Sequence, residues 1–150
     1  MAVAFKTTTE PSVFSLKTPL LARGRSMDLL AKADLLYTHI KVYAEGGENG
    51  LHAHPNEEHL FVVLQGEATF HTGVEEQKRV VGKHEGIMLP KGVFYRFETS
   101  SDEPLVLLRV GAQPADLPRD RVKPDGNPIP GDSADNKHVE PAILPGKFFE

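Results

Sequence analysis

From Tyr37 onward the chain alternates apolar and polar positions in short runs, and each run ends in turn chemistry. The runs are Tyr37 to Ala44, Leu51 to His54, His59 to Gln65, Glu67 to Thr72, Gln77 to Val81, Ile87 to Leu89, Val93 to Thr99 and Leu105 to Val110. Between them stand the glycine-rich stretch Gly46 to Gly50, then Pro55 and Asn56, Gly66, Gly73 to Glu76, Gly82, and Pro90 to Gly92. Two-residue periodicity broken by glycine and proline at such intervals predicts an antiparallel sandwich or barrel. No helical segment of crossover length separates the runs, which excludes a doubly wound α/β fold. The predicted fold is all-β, with a barrel core over residues 37–111.

The flanks read differently. Residues 1–36 are expected to form an extended arm broken by Pro11 and Pro19, with at most one edge strand around Val13 to Leu16. Within the arm, Ser26 to Leu36 offers Ser26 as an N-cap and apolar Met27, Leu29, Leu30 and Ala33, which fits one or two helical turns; a strand is the alternative. Residues 112–150 carry Pro114, Pro118, Pro124, Pro128, Pro130, Pro141 and Pro145, and such a tail cannot build its own core. Leaving Ile143, Leu144, Phe148 and Phe149 in water costs about 1.5–3 kcal/mol for each larger side chain. The tail is therefore expected to lie over the barrel or over a neighbouring subunit.

Composition narrows the function. A length of 150 residues suits one domain, and the net charge of −4 is spread along the chain, so no footprint for nucleic acid exists. There is no cysteine, which removes disulfides, thiolate metal sites and thiol nucleophiles and leaves imidazole and oxygen as metal ligands. Lys6, Glu10, Pro11 and Lys17 interrupt any secretory apolar stretch, and no run reaches membrane-spanning length. A cytoplasmic protein with no membrane partner is the expectation.

The chemistry concentrates in three histidines, His52, His54 and His59. Side chains at i and i+2 on a strand share a face, with Cα atoms roughly 6.6 Å apart, so His52 and His54 can converge on one ion. His59 has the opposite parity and joins them only if the strand breaks between. Pro55 and Asn56 supply such a break, after which the next strand can run back beside the first and bring His59, Phe61 and Val63 to the same inward face.

This segment resembles the first motif of the cupin superfamily: glycine, five residues, His, one residue, His, three or four residues, Glu, six residues, glycine. Gly46, His52, His54 and Gly66 stand at its positions. Counting back from Gly66 puts His59 at the acidic ligand position, while Glu58 satisfies the shorter spacing from His54 and is the alternative ligand. The second cupin motif is matched at Pro90 and Gly92 but has His84 at its first glycine, Tyr95 at its histidine and Thr99 at its asparagine.

The resemblance spans roughly Tyr37 to Val110 and implies a jelly-roll barrel, or double-stranded β-helix, holding a divalent metal: iron, manganese, nickel or zinc. The matching ligand positions hold His52, His54, His59 and Tyr95, a set without a carboxylate unless Glu58 swings in. Tyr95 is a ligand as phenolate or, equally, an acid/base or hydrogen-bonding group. Phe61, Val63 and Phe97 are expected to wall an apolar substrate pocket. His39, His71, His84 and His138 are assigned no site, and neither are Arg96 and Arg109, although either arginine would suit an anionic substrate.

Relatives of this kind are often dioxygenases and also isomerases, lyases and cyclases. A metal-dependent, oxygenase-like enzyme acting on a small organic molecule is the leading expectation. A non-oxidative cupin enzyme or a non-enzymatic binding or sensor module is the alternative. Exposed sheet edges suggest a homodimer.

Overall fold

The computed structural model describes residues 7–45, 49–129 and 140–150, among which lie ten strands and no helix. The strands are β1 (Thr18–Arg23), β2 (Arg25–Lys32), β3 (Leu36–Tyr43), β4 (Glu58–Gln65), β5 (Ala68–Thr72), β6 (Gln77–Val81), β7 (Gly86–Leu89), β8 (Tyr95–Thr99), β9 (Leu105–Ala112) and β10 (Ala142–Phe149). A five-stranded sheet in the order β2-β3-β9-β4-β7 faces a three-stranded sheet, β6-β5-β8, and β1 pairs with β10 as a separate ribbon. Every strand pairing is antiparallel. This is the predicted all-β, double-stranded β-helix architecture. Gly46 and His138 lie outside the described residues.

Two apolar clusters lie on opposite faces of β3 and β9. Tyr43, Leu105 and Leu107 turn inward to meet Phe61 and Val63 of β4, Phe70 of β5 and Phe97 of β8. Ile40, Val42 and Val106 turn the other way, where Leu21 of β1 and Phe149 of β10 cover them. A strand buried on both faces tolerates little polar alternation, which is why His39 and Lys41 within β3 are buried.

The arm departs from the expectation. Residues Arg25 to Lys32 form β2, not helical turns, and pair with β3 from Arg25 opposite Tyr43 to Lys32 opposite Tyr37. The strand alternative wins because β3 would otherwise leave its edge N–H and C=O groups unpaired, a larger cost than the weak helix preference of this stretch. Val13 to Leu16 forms no strand; the first begins at Thr18. Pro19 is tolerated there because β1 has a single strand partner, so its missing N–H breaks no second ladder.

Candidate metal centre

The histidine segment is not a strand but a pair of isolated bridges. His52 N–H donates to the Tyr95 carbonyl at 3.1 Å, and Tyr95 N–H returns a bond to the His52 carbonyl at 2.8 Å. Ala53 exchanges the same two bonds with Val122, and Gly92 N–H donates to the His54 carbonyl at 2.9 Å. The segment is thereby fixed to β8 and to the Pro90–Gly92 turn, while β4 lies between β9 and β7. The expectation that β4 would run back beside it is corrected: the turn at Pro55 and Asn56 carries the chain from one side of the barrel to the other. The rings still meet, with His54 and His59 centroids 4.3 Å apart and those of His52 and His54 5.1 Å apart.

Glu57 supplies the carboxylate. It is buried, its Oε1 lies 2.5 Å from His59 Nε2, and one ligand atom each from His54, Glu57 and His59 falls within 4.8 Å of the other two. Glu58, the alternative considered from spacing, is exposed on β4 and faces a different crevice beside Lys91 and Gln113. Neighbouring strand residues point to opposite faces, so the inward position of His59 sends Glu58 outward; Glu57 lies before the strand and escapes that alternation.

His52 is buried outside this trio but against it. Its Nδ1 lies 2.7 Å from the Gly50 carbonyl, which can only accept, so Nδ1 carries the proton and Nε2 keeps a lone pair. The Tyr95 hydroxyl lies 3.4 Å from His54 Nε2 and 3.5 Å from His59 Nδ1. Tyr37 reaches His59 Nε2 at 3.3 Å from the other side. Its position depends on Gly111, where a Cβ would stand 2.3 Å from the Tyr37 ring.

Burial sets the charge states. It lowers His52 to about 4, against the Gly50 hydrogen bond, and drives His54 and His59 further down, aided by their charged neighbours. The three imidazoles are neutral at pH 7, the state that ligates metals. Burial raises the Glu57 carboxyl while Arg109 and Arg119 oppose the rise. Burial also pushes Tyr95 above the usual phenol range, so without a bound cation its hydroxyl keeps its proton and can donate a hydrogen bond.

These donors fit a divalent ion. An ion held at about 2.1 Å from nitrogen and oxygen ligands spaces them by about 3–4 Å, so the ligand atoms, all within 4.8 Å of one another, need only small shifts, and the 2.5 Å His59–Glu57 contact would open to admit the ion. One group competes for the place: Arg109 Nη2 lies 2.7 Å from His59 Nε2 and 3.4 Å from Glu57 Oε1.

A family model described as a cupin domain matches residues 39–111. Residues 39–111 form a cupin domain. No curated protein matches the sequence. Among solved structures, a double-stranded β-helix protein from Klebsiella pneumoniae is similar, with a TM-score of 0.60 and 20% identity over 75% of this chain and 93% of that one. The Cnp3 cupin domain of Schizosaccharomyces pombe has a TM-score of 0.55 at 17% identity, over 59% of this chain and 64% of that one, so the match spans just under two thirds of it. HppE crystallised with cobalt(II) and Tris has a TM-score of 0.52 at 13% identity, over 58% of this chain and 52% of that one.

At the first glycine position of the second cupin motif this chain has a histidine. His84, in the place of a glycine, has φ of 69°, the left-handed region that glycine prefers. Phe97 lines the cavity beside the histidines, but Phe61 and Val63 lie in the core beneath it, because the cavity opens toward β2 and not along β4. Arg96 pairs with Glu76 and Glu98 on the three-stranded sheet, and His71 pairs with Glu98 there. Glu57, Arg109 and Lys41 were missed as site residues. Strand parity was the available signal, since Lys41 and Arg109 share the phase of Tyr43 and Leu107.

Proposed function

We propose that this cupin is a metal-dependent enzyme acting on a small organic molecule, with an oxygenase-like oxidoreductase as the reading best supported. The observation that carries it is the convergence of His54, His59 and Glu57 within 4.8 Å, a largely buried two-histidine, one-carboxylate set of which His54 also lines the neighbouring cavity. That donor set is the one non-haem iron oxygenases use, leaving open positions on one side of the metal. His52 Nε2 stands ready as a further ligand. A cobalt(II) form of the structurally similar HppE accords with a divalent ion in this fold.

A bound divalent ion would act as a Lewis acid and, if redox-active, would exchange electrons with substrate. The chain's own groups supply the rest. Neutral His54 and His59 offer lone pairs, Glu57 offsets positive charge, and protonated Tyr95 can donate a hydrogen bond into the same space. Phe97 gives the wall an apolar surface.

The test is metal content after purification without chelators, followed by oxygen uptake with small-molecule substrates. A stoichiometric redox metal supports the enzyme. No metal after reconstitution with iron, manganese, nickel and zinc would overturn it in favour of a second reading, a metal-free binding module. That reading draws support from Arg109, whose guanidinium already places a cation against His59 and Glu57. We also propose a homodimer, since β2, β6 and β7 are sheet edges that expose Met27, Val80 and Met88. A monomer by light scattering would reject it.

A further inference from the structure

Beside the histidines lies a cavity of about 420 Å³ whose wall is charged in one sense. Lys41, Arg109, Arg25 and Arg121 line it, and no aspartate or glutamate does among the described residues. Lys41 is only 8% exposed, and its ammonium group rests over the rings of Tyr43 and Phe61 at 5.1 and 5.9 Å. Among the described residues no carboxylate pairs with it. Arg25 and Arg121 have interactions of their own and add only to the positive potential.

A second observation points at the same space. Among the described residues, the buried side-chain polar atoms without a hydrogen-bond partner include Ser26 Oγ, Asn49 Oδ1 and Arg109 Nε, all on residues of this cavity. Buried polar groups are nearly always satisfied, so these atoms call for a partner from outside the chain, water or ligand. Three such groups and a lone buried ammonium around one space form a built site.

We infer that this cavity binds a small organic acid, with its oxyanion seated against Lys41 and Arg109 and its polar substituents met by Ser26 and Asn49. Charge decides the class: Arg109 already shares Glu57, but among the described residues Lys41 has no carboxylate partner, and an oxyanion in the cavity accepts charge-assisted hydrogen bonds from both cations. Burial and the nearby arginines hold Lys41 well below the usual lysine range, so an anion in the cavity would favour its charged form. Asn49 Oδ1 accepts hydrogen bonds only and suits a hydroxyl on the same molecule. His52, His54 and Tyr95 lie on the same wall, so the carbon skeleton of the acid ends at the candidate metal centre. That this acid is the substrate rests on the enzymatic reading above; that the cavity binds it does not.

The experiment titrates chelator-treated protein with malonate and, separately, with inorganic phosphate by calorimetry, so metal chemistry is excluded from the readout. At least one probe is expected to saturate, with malonate favoured for a carboxylate ligand and phosphate for a phosphate ester. Lys41→Met is expected to weaken that binding by about tenfold or more, the loss of one charge-assisted contact, and Lys41→Arg to recover part of it. Should Lys41→Met fail to fold, Ser26→Ala and Asn49→Ala carry the same test, each weakening binding by about threefold. Saturation by neither probe, or unchanged affinity in these variants, overturns the inference. Binding that requires added metal and ignores Lys41 also overturns it, because the anion then sits on the ion. Metal content and oxygen uptake test the enzymatic reading independently.

Discussion

Replacing Glu57 by glutamine isolates the carboxylate that the cupin spacing did not point to. In the metal-free protein Glu57 is buried beside His59 and within 3.4 Å of Arg109 Nη2, whose side chain is 13% exposed. The substitution keeps the shape of the side chain and removes its charge, leaving the Arg109 guanidinium in a cavity that already holds Lys41. Removing one partner of a buried pair costs about 3–5 kcal/mol. Water reaching Arg109 and the hydrogen bonding that glutamine retains reduce this to about 2 kcal/mol. Glu58→Gln, on an exposed position of β4, should change stability by less than about 0.5 kcal/mol. Urea unfolding of both variants after chelator treatment reads the difference as a midpoint shift at constant slope. With metal added back, Glu57→Gln should lose the ion by well over the 10–100-fold typical of an outer-shell change, and Glu58→Gln should keep it. Equal behaviour of the two variants in both assays would refute the placement of the carboxylate.

Three further outcomes follow from other parts of the molecule. His84 has φ of 69°, and relieving a left-handed side chain is worth about 1–2 kcal/mol less the extra freedom glycine brings to the unfolded chain, so His84→Gly should stabilise by about 0.5–1 kcal/mol; a lower denaturation midpoint would contradict this. Burial first, and then Arg109, lower His39 from 6.5 to about 4; the unfolded chain therefore binds the extra proton, and the His39 contribution is complete above pH 6.5, falls as pH drops towards 4 and is flat below. Solvent screening leaves about 1–2 kcal/mol of that effect, and His39→Gln should lose stability less steeply than the parent between pH 7 and pH 5; identical slopes would sink the argument. Ending the chain before Ala142 removes β10 and uncovers Leu21, which is 3% exposed; a loss of about 2–4 kcal/mol is expected from the apolar surface returned to water, and an unchanged urea midpoint would reject it.

Much of the barrel was legible because its strands obey a two-residue period and its turns use glycine and proline. β3, β4, β5, β6, β7, β8 and β9 fall within a residue or two of the runs read from the pattern. The arm was not legible, because Met27, Leu29 and Leu30 satisfy a helical turn as well as a strand and the deciding interaction is the ladder with β3, which runs from Arg25 opposite Tyr43 to Lys32 opposite Tyr37. β10 was hidden for a related reason. Its proline and glycine, Pro145 and Gly146, read as breakers, yet on a ribbon with one strand partner they interrupt the register without ending the strand.

The site divides along the same line between local and distant causes. His52, His54 and His59 were visible because they sit close in sequence and their spacing has a direct geometric meaning. Glu57 was invisible because it stands in the break itself, where no periodicity assigns a face. Lys41 and Arg109 stood in plain alternation on β3 and β9, but a cation inside a barrel strand reads as an error of phase unless a cavity is known to receive it. The register supplies that knowledge: His39 pairs with Arg109 and Lys41 with Leu107, so the cations of two adjacent strands open on the space beside the imidazoles. The barrel therefore sets neutral metal-ligating rings beside positive charge that Glu57 offsets only in part, and the proposed organic acid is the class of molecule that answers both.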